Sequence, residues 1–232
     1  MKKHAFSFPM RTYERVIGLM YIPVHSYIVP RLMFWMFDLL GVWPSGAHDL
    51  IYYGFSAVFL LLVLNRYWRA TIRDFTGAPF RALQAVVIGY VSYIAMEVVM
   101  DLLMSLFLDN LLNPNSAAVA DSVTLNPQMM FVVTVLLAPI AEETMFRGAL
   151  FGTLRKKNRV AAYIVSALLF GMYHIWDFAL GGGGALTLVY AMQYIPASIA
   201  LAWCYEHSGA LVAPVVLHAL INLIATVSIV WR

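Results

Sequence analysis

Long apolar runs separated by short polar segments are the dominant pattern of this chain. Seven stretches of at least 15 residues contain no Asp, Glu, Lys or Arg. A helix needs about 20 mainly apolar residues to cross about 30 Å of hydrocarbon. The runs therefore predict seven membrane-spanning helices, at residues 16–40, 47–66, 81–107, 128–154, 160–176, 185–206 and 210–231.

The first predicted span is the least regular of the seven. It contains Pro23, Pro30 and Arg31, which predict a kink or a local break. Its basic start and apolar core are also features of a signal peptide. The two prolines in the core and the lack of a small-x-small cleavage pattern favour a retained helix instead.

The overall composition agrees with the membrane interpretation. Hydrophobic residues make up 62% of the chain and charged residues 12%, with a mean hydropathy of +0.78. Soluble domains contain about 45–50% apolar and about 25% charged residues, so a water-soluble globule and a disordered chain are both excluded. The single cysteine, Cys204, excludes an intramolecular disulfide and a multi-cysteine metal site. We therefore predict an all-α, polytopic integral membrane bundle that forms one domain, 1–232.

The positions of the basic residues explain the net charge of +3. Twelve of the 15 Lys and Arg residues lie before the first span, between spans two and three, or between spans four and five. The intervening loops carry aspartates and no Lys or Arg, which by the positive-inside rule predicts a cytoplasmic N-terminus. No basic cluster is typical of a nucleic-acid site. The basic residues are Lys2, Lys3, Arg11, Arg15, Arg66, Arg69, Arg73, Arg81, Arg155, Lys156, Lys157 and Arg159; the aspartates are Asp49, Asp109, Asp121 and Asp177.

Six polar side chains lie in predicted spans, where an ionisable group costs about 2.5–3.5 kcal/mol. They come from three different helices and can converge on one polar pocket. Taken singly, each has a structural explanation, because buried Glu–Arg pairs and lone His or Asn residues often only join helices. Their joint occurrence favours chemistry. The six are Glu142, Glu143 and Arg147 in span four, His174 in span five, and His218 and Asn222 in span seven.

Helix geometry separates the two glutamates. Arg147 follows Glu143 by four residues and lies about 40° from it around the axis, so these two are predicted to form an ion pair. Glu142 points about 100° away and has no cation on its own helix. A carboxylate without a cation in a low-dielectric site can act as a base near neutral pH. The spacing thus predicts a supporting role for Glu143 and a chemical role for Glu142.

The remaining polar groups suit the hydrolysis of an acyl bond. His218 and Asn222 are four residues apart on one helix face and can donate to the same oxyanion, while His174 can orient a water with Glu142. An alternative is a zinc site formed by Glu142, His174 and His218, although the sequence lacks H-E-x-x-H. Gly148 and Gly152 form a small-xxx-small pair that favours close packing.

Three other functional classes remain open at this stage. Glu97 and Asp101 share a face of span three and suggest either hydrated residues at the interface or the path of a proton-coupled transporter. His174 and His218 are possible axial ligands of a haem. A non-catalytic immunity or scaffold protein is the third class. His25, by contrast, is predicted to be an anchor near the kink of the first span.

The motifs resemble those of the CAAX prenyl protease and bacteriocin-processing (CPBP) family of intramembrane proteases. The resemblance rests on Glu142-Glu143-x-x-x-Arg147, Phe170-x-x-x-His174 and His218-x-x-x-Asn222, and on the approach from Ser208 to His218. It covers about 128–225, which would be the catalytic core, and leaves the helices within 16–107 as accessory elements.

The resemblance implies an all-helical endopeptidase of the glutamate type without a cofactor. Glu142 and His174 would activate water, and His218 and Asn222 would stabilise the oxyanion. Glu143 and Arg147 would form a supporting ion pair, and Phe170 would pack beneath the site.

The expected partners are the lipid bilayer and a membrane-associated peptide or protein. Prenylated tails, bacteriocin leaders and remnant signal peptides all fit this class. The short loops suggest a prokaryotic membrane protein, which favours peptide maturation, export or self-immunity over a prenylated substrate. Because Arg147 and the start of span seven fall in the predicted cytoplasmic half, we expect a site that opens toward the cytoplasm or laterally to lipid. The sequence does not indicate an oligomeric state.

Overall fold

The fold is helical throughout the part of the chain that the structure, a computed structural model, describes: residues 6, 8–41, 47–106 and 112–231. These ranges contain no strand, which confirms the all-α prediction. Lys2, Lys3 and Asp109 lie outside the described residues. The helices are α1 (Thr12–Leu40), α2 (His48–Val63), α3 (Asn65–Gly77), α4 (Pro79–Ser105), α5 (Pro114–Leu125), α6 (Pro127–Arg155), α7 (Arg159–His174), α8 (Trp176–Leu180), α9 (Leu186–Ser208) and α10 (Val212–Val230).

The protein is a multi-pass membrane protein with fewer full spans than the seven predicted. Among the described helices, α1, α4, α6, α9 and α10 are long and apolar enough to cross a bilayer, and the bent pair α2–α3 brings the number to six. The predicted span 160–176 corresponds to α7. With 16 residues it is about 24 Å long, which is shorter than the hydrocarbon layer.

The predicted span 47–66 ends at a sharp bend. The axes of α2 and α3 differ by 86°, and the buried Leu64 lies at the corner. Helix α3 is amphipathic, because Tyr67 and Trp68 are buried while Arg69 and Arg73 are exposed. This pattern is typical of a helix that lies along the membrane surface.

Two of the long helices are irregular, and the irregularity of α1 was predicted. Helix α1 contains a π-helical segment, Val24–Ile28, immediately after Pro23, and it continues to Leu40. Helix α9 is interrupted by a turn at Gln193 and Tyr194, just before Pro196. Both breaks leave polar side chains and backbone groups free to make contacts between helices.

Helix α6 forms the centre of the bundle, and every residue in 141–152 is buried. Close packing around it relies on glycine. A methyl group at Gly152 would lie 2.2 Å from the Phe8 ring, and one at Gly148 would lie 3.2 Å from Tyr67. The predicted packing role of these two glycines is thus confirmed. Gly18 of α1 lies directly against Ala149 of α6, since a methyl group there would be 2.6 Å away.

Helices α1, α2, α7, α9 and α10 surround α6, and α4 packs outside them against α9 and α10. The outer face of α4 presents large apolar side chains that a bilayer covers. The exposed residues include Leu83, Val87, Val91, Val98 and Leu102.

The described basic residues of the three alternate segments gather at one end of the bundle, called here the basic end. Arg66 of α3 pairs with Glu14 of α1. Arg155 and Arg159 both pair with Glu206 near the end of α9, at 2.5 and 3.0 Å. Helices α2 and α6 therefore begin at the opposite end, where Asp49 lies.

Candidate active site

The two glutamates lie side by side in the buried centre of α6 and face different neighbours. Glu142 Oε2 is 3.7 Å from His174 Nε2 of α7 and 3.9 Å from His218 Nε2 of α10. Both separations exceed a direct hydrogen bond, and polar groups at such distances are commonly bridged by one water. Two histidines from different helices thus converge on one carboxylate oxygen.

His174 is fixed in one orientation and one tautomer. Its Nδ1 lies 2.8 Å from the backbone oxygen of Phe170. A carbonyl only accepts, so Nδ1 carries the hydrogen and Nε2 of the neutral ring presents a lone pair toward Glu142. The Tyr194 ring stacks on the imidazole at a centroid distance of 4.3 Å, which holds the ring in place.

Glu143 has two partners. Its Oε1 lies 3.1 Å from Arg147 Nη1, as the helical spacing predicts, and it accepts a hydrogen bond from His218 Nδ1 at 2.8 Å. The second contact was not predicted. Because Nδ1 donates to Glu143, His218 can offer Nε2–H to an oxyanion only as the doubly protonated ring. The glutamate thereby links the ion pair to the third motif.

Arg147 is fully buried and held on three sides. Besides Glu143, its guanidinium donates to Ser198 Oγ at 3.2 Å and lies 4.1 Å above the centre of the Phe170 ring. The same ring also contacts His174, at a centroid distance of 4.5 Å. Phe170 therefore packs between the ion pair and the second motif.

Asn222 of α10 is held by a hydrogen bond to an irregular part of α6. Its Nδ2 donates to the Thr134 carbonyl at 2.7 Å. In the π-helical segment Val132–Leu137 the Ala138 N–H bonds to Val133, and Pro139 has no N–H to give. The Thr134 carbonyl therefore lacks a backbone donor, and Asn222 supplies one. The amide keeps a second N–H for another acceptor.

A cavity of about 420 Å³ brings the four predicted catalytic residues together. Glu142, His174, His218 and Asn222 all line it. It extends past Asn115 of α5 toward the end of the bundle that carries Asp49. No described residue of the basic end lines it, so the cavity leads away from the side on which we expected it to open.

Several residues in contact with the site were not predicted. The Tyr53 hydroxyl donates to Glu142 Oε1 at 3.3 Å and lies 3.3 Å from the hydroxyl of Tyr173. His25 is fully buried, and its Nε2 lies 3.0 Å from the same Tyr173 hydroxyl. The expectation of a simple anchor missed this contact. The signal in the sequence was an ionisable residue inside a span.

Two alternatives gain no geometric support. Glu97 and Asp101 of α4 do not line the cavity. In the described part of the chain, no group of three or more His, Cys, Asp or Glu residues has the arrangement of a metal site. A zinc ion held by Glu142, His174 and His218 stays a prediction for experiment.

Comparison with known proteins agrees with the motifs. Residues 124–224 match the family model described as "Type II CAAX prenyl endopeptidase Rce1-like". This match confirms, for that segment, the resemblance to CAAX prenyl proteases. It contains all the predicted site residues and overlaps the predicted core, 128–225. Helices α1–α4 lie outside it.

Two curated bacterial proteins are distant relatives. The "Putative membrane peptidase YdiL" of Bacillus subtilis (strain 168) is 27% identical over 109 residues, covering 47% of this chain and 40% of that protein. The "UPF0177 protein YxdF" of Lactococcus lactis subsp. lactis (strain IL1403) is 25% identical over 88 residues, covering 38% and 43%. The matched segments thus span less than half the length of either relative. No solved structure matches the chain. The bacterial relatives agree with a prokaryotic multi-pass membrane protein.

Proposed function

We propose that this protein is an intramembrane endopeptidase that hydrolyses a peptide bond in a membrane-associated polypeptide. The observation that carries the proposal is the convergence of Glu142, His174 and His218 in one buried cavity, with Glu142 Oε2 within 3.9 Å of both imidazoles. The family match over 124–224 supports the same reaction class.

The first step is the activation of water. His174 Nε2 accepts a hydrogen bond from the water and orients it, and Glu142 takes a proton as the oxygen attacks the peptide carbonyl carbon. Tyr53 already donates to Oε1 of Glu142, which leaves Oε2 to act as the base. The low-dielectric surroundings strengthen each of these interactions.

The second step is stabilisation and collapse of the tetrahedral intermediate. Asn222 and His218 both line the cavity. The second N–H of the Asn222 amide can bind the oxyanion, and His218 can do so through Nε2–H when its ring carries both protons. Glu143 accepts a hydrogen bond from His218 and is itself paired with Arg147, so the ion pair fixes the orientation of the imidazole ring. Glu142 then returns its proton to the amide nitrogen as the carbon–nitrogen bond breaks, so that the base is regenerated.

The test is the cleavage of a membrane-peptide library by the purified protein, alongside the Glu142→Ala and His174→Ala variants and with and without a chelator. We expect cleavage by the wild type, loss in both variants and no effect of chelation. Undiminished cleavage by the two variants would refute the mechanism. Loss on chelation that zinc restores would favour the metal alternative.

The proposal extends to a substrate class. Because the relatives are bacterial proteins, we propose a peptide that is matured or exported, or one involved in self-immunity, rather than a prenylated protein. Sequencing of the products released from the library would give the cleavage site and would show whether a prenyl group is required.

A further inference from the structure

The cavity extends from the candidate active site toward one end of the bundle. Its deep end is formed by Glu142 and the two histidines, and its outer part by Asp49 of α2 and the polar residues Asn115, Ser116 and Ser122 of α5. Helix α5 connects the end of α4 to the start of α6 and lies at the end opposite to the basic end.

On the side of the basic end, the described residues next to the site are closely packed. On α6, all residues in 143–152 between the site and that end are buried. Arg147 lies on α6 between Glu142 and the basic end, is fully buried and donates to Ser198 of α9. Further down, the buried hydroxyls of Tyr67 and Tyr205 bond to each other at 2.9 Å.

Helix α5 is a fixed wall of the cavity. The Asn113 side chain caps its first turn by accepting from the backbone N–H groups of Asn115 and Ser116 at 3.0 and 3.3 Å. Asn115 Nδ2 donates to the Tyr194 hydroxyl at 3.0 Å, and the Tyr194 ring stacks on His174. Asn115, in the outer part of the cavity, is thus connected through Tyr194 to His174, a predicted catalytic residue.

We propose that the active site opens to the non-cytoplasmic side and that its substrates are polypeptide segments that have already crossed the membrane. The positive-inside rule places the basic end in the cytoplasm, and the cavity leads to the other end. The Asn and Ser side chains at the mouth can bond to the backbone of an extended segment as it enters. The substrate class in this inference rests on the proposed function, whereas the direction in which the site opens does not.

Cysteine labelling tests the geometry without any assay of activity. Cys204 is fully buried and can stay in place. Ser116→Cys at the mouth and Ala138→Cys deep in the cavity should react in intact cells with a small membrane-impermeant methanethiosulfonate. Lys157→Cys, exposed at the basic end, is the matched control and should react only after the cells are opened. The reverse pattern would overturn the proposal.

Oriented membrane vesicles test the substrate class. A peptide cleaved by the detergent-solubilised enzyme should be cleaved by sealed right-side-out vesicles and not by sealed inside-out vesicles. Cleavage only by inside-out vesicles would overturn the proposed access. Failure to cleave in detergent would instead count against the proposed function and leave the labelling result to decide the geometry.

A different observation carries a second inference. A continuous series of hydrogen bonds connects α1 to the site. Its members are Tyr21, Ser56, His25, Tyr173, Tyr53 and Glu142, with distances of 3.1, 2.9, 3.0, 3.3 and 3.3 Å between successive polar atoms.

The series has one direction. The Tyr53 hydroxyl donates to Glu142, so it must accept from Tyr173. Tyr173 therefore accepts from His25 Nε2, which leaves Nδ1 to accept from Ser56. Tyr21 donates to Ser56 at the far end. Every group donates toward the carboxylate, and the tautomer of His25 is fixed by its two neighbours.

We infer that His25, Tyr173 and Tyr53 are positioning residues that hold Oε1 of Glu142 and so direct Oε2 toward the water. The inference rests on the proposed role of Glu142. It also assigns a function to α1 and α2, which lie outside the family match. His25 reaches this place because the π-helical segment Val24–Ile28 contains it.

The test removes single hydroxyl groups. Tyr53→Phe should lower kcat about 10- to 100-fold with an unchanged KM, because one hydrogen bond to a charged group is lost. Tyr173→Phe should lower it less, and the double variant should match Tyr53→Phe alone, since the outer residue acts only through the inner one. Additive losses, or a change in KM only, would overturn the assignment.

Tyr67→Phe is the matched control, because it removes a buried hydroxyl that bonds to Tyr205, outside the site; its kcat should stay unchanged. A second readout needs no substrate. The carboxyl band of Glu142 in difference infrared spectra, identified by its loss in Glu142→Gln, should shift in Tyr53→Phe and not in Tyr67→Phe. An unshifted band would refute the contact even if the protein proved not to be a protease.

Discussion

At the scale of single residues, two adjacent glutamates differ in their surroundings. Glu143 is shared by Arg147 and His218, whereas Glu142 faces two histidines and a tyrosine. Helical spacing alone predicted the first pair, because residues four apart on one helix must be neighbours. The contact between Glu143 and His218 joins two helices, and no spacing along one helix reveals it.

The buried ion pair gives a prediction for stability. Arg147→Met leaves Glu143 buried without its guanidinium partner and should lower the free energy of unfolding by about 3–5 kcal/mol, measured by chemical unfolding in detergent. Arg155→Met is the control. Arg155 pairs with Glu206 near the surface, and its loss should cost about 0–1 kcal/mol. Equal costs would show that Arg147 is not the buried partner described here.

At the scale of helices, the sequence predicted that α1 is irregular but not that the irregularity is a π-helical segment. Pro23 and Pro30 predicted the irregularity in α1, because proline removes a backbone donor. In α6, Pro139 follows the π-helical segment Val132–Leu137, where no irregularity was predicted, and this segment determines how Thr134 and Asn222 meet. The second π-helical segment, Thr144–Phe151, contains no proline. The bounds of α7 were predicted to within two residues, but a helix of 16 residues was counted as a full span.

The irregularity in α6 can be tested at Pro139. Pro139→Ala restores an N–H that can bond to α6 carbonyls and compete with Asn222 for Thr134. We expect kcat to fall while the thermal midpoint stays the same or rises. Pro79→Ala, at the first position of α4 where no helical bond is missing, should leave kcat unchanged. Identical behaviour of the two variants would remove the proposed link to Asn222.

The contact between α7 and α9 gives a further prediction. A methyl group at Gly171 would lie 2.3 Å from the Ala191 backbone oxygen, so Gly171→Ala must separate the two helices and move His174. Such overpacking lowers the free energy of unfolding by about 1–3 kcal/mol, and the rate of peptide cleavage should fall as well. Gly77→Ala, which meets nothing within 4 Å, should be neutral or slightly stabilising. Thermal unfolding of both variants checks this.

At the scale of the whole molecule, charge and hydropathy predicted a membrane bundle with one basic end. They also predicted which polar residues share a cavity, because residues that are costly in a membrane tend to face one another. They did not reveal the direction of that cavity. Its outer wall is α5, which the sequence presents only as a polar connector between two spans.

The long-range role of α1 was equally hidden. His25 was visible as an ionisable residue in a span, yet its link to Glu142 runs through hydroxyls of α2 and α7. Such a series depends on how helices distant in the sequence pack. The catalytic motifs alone therefore describe only part of the site, and the accessory helices supply the rest.

The central claim is that Glu142 is the base of a membrane peptidase. The most direct measurement compares kcat of the purified wild type with that of Glu142→Gln on a peptide from the library, with Glu97→Gln as the matched control outside the cavity. We predict a loss of about 10²- to 10⁴-fold for Glu142→Gln and none for Glu97→Gln. Full activity of Glu142→Gln, or an equal loss in both variants, would contradict the account.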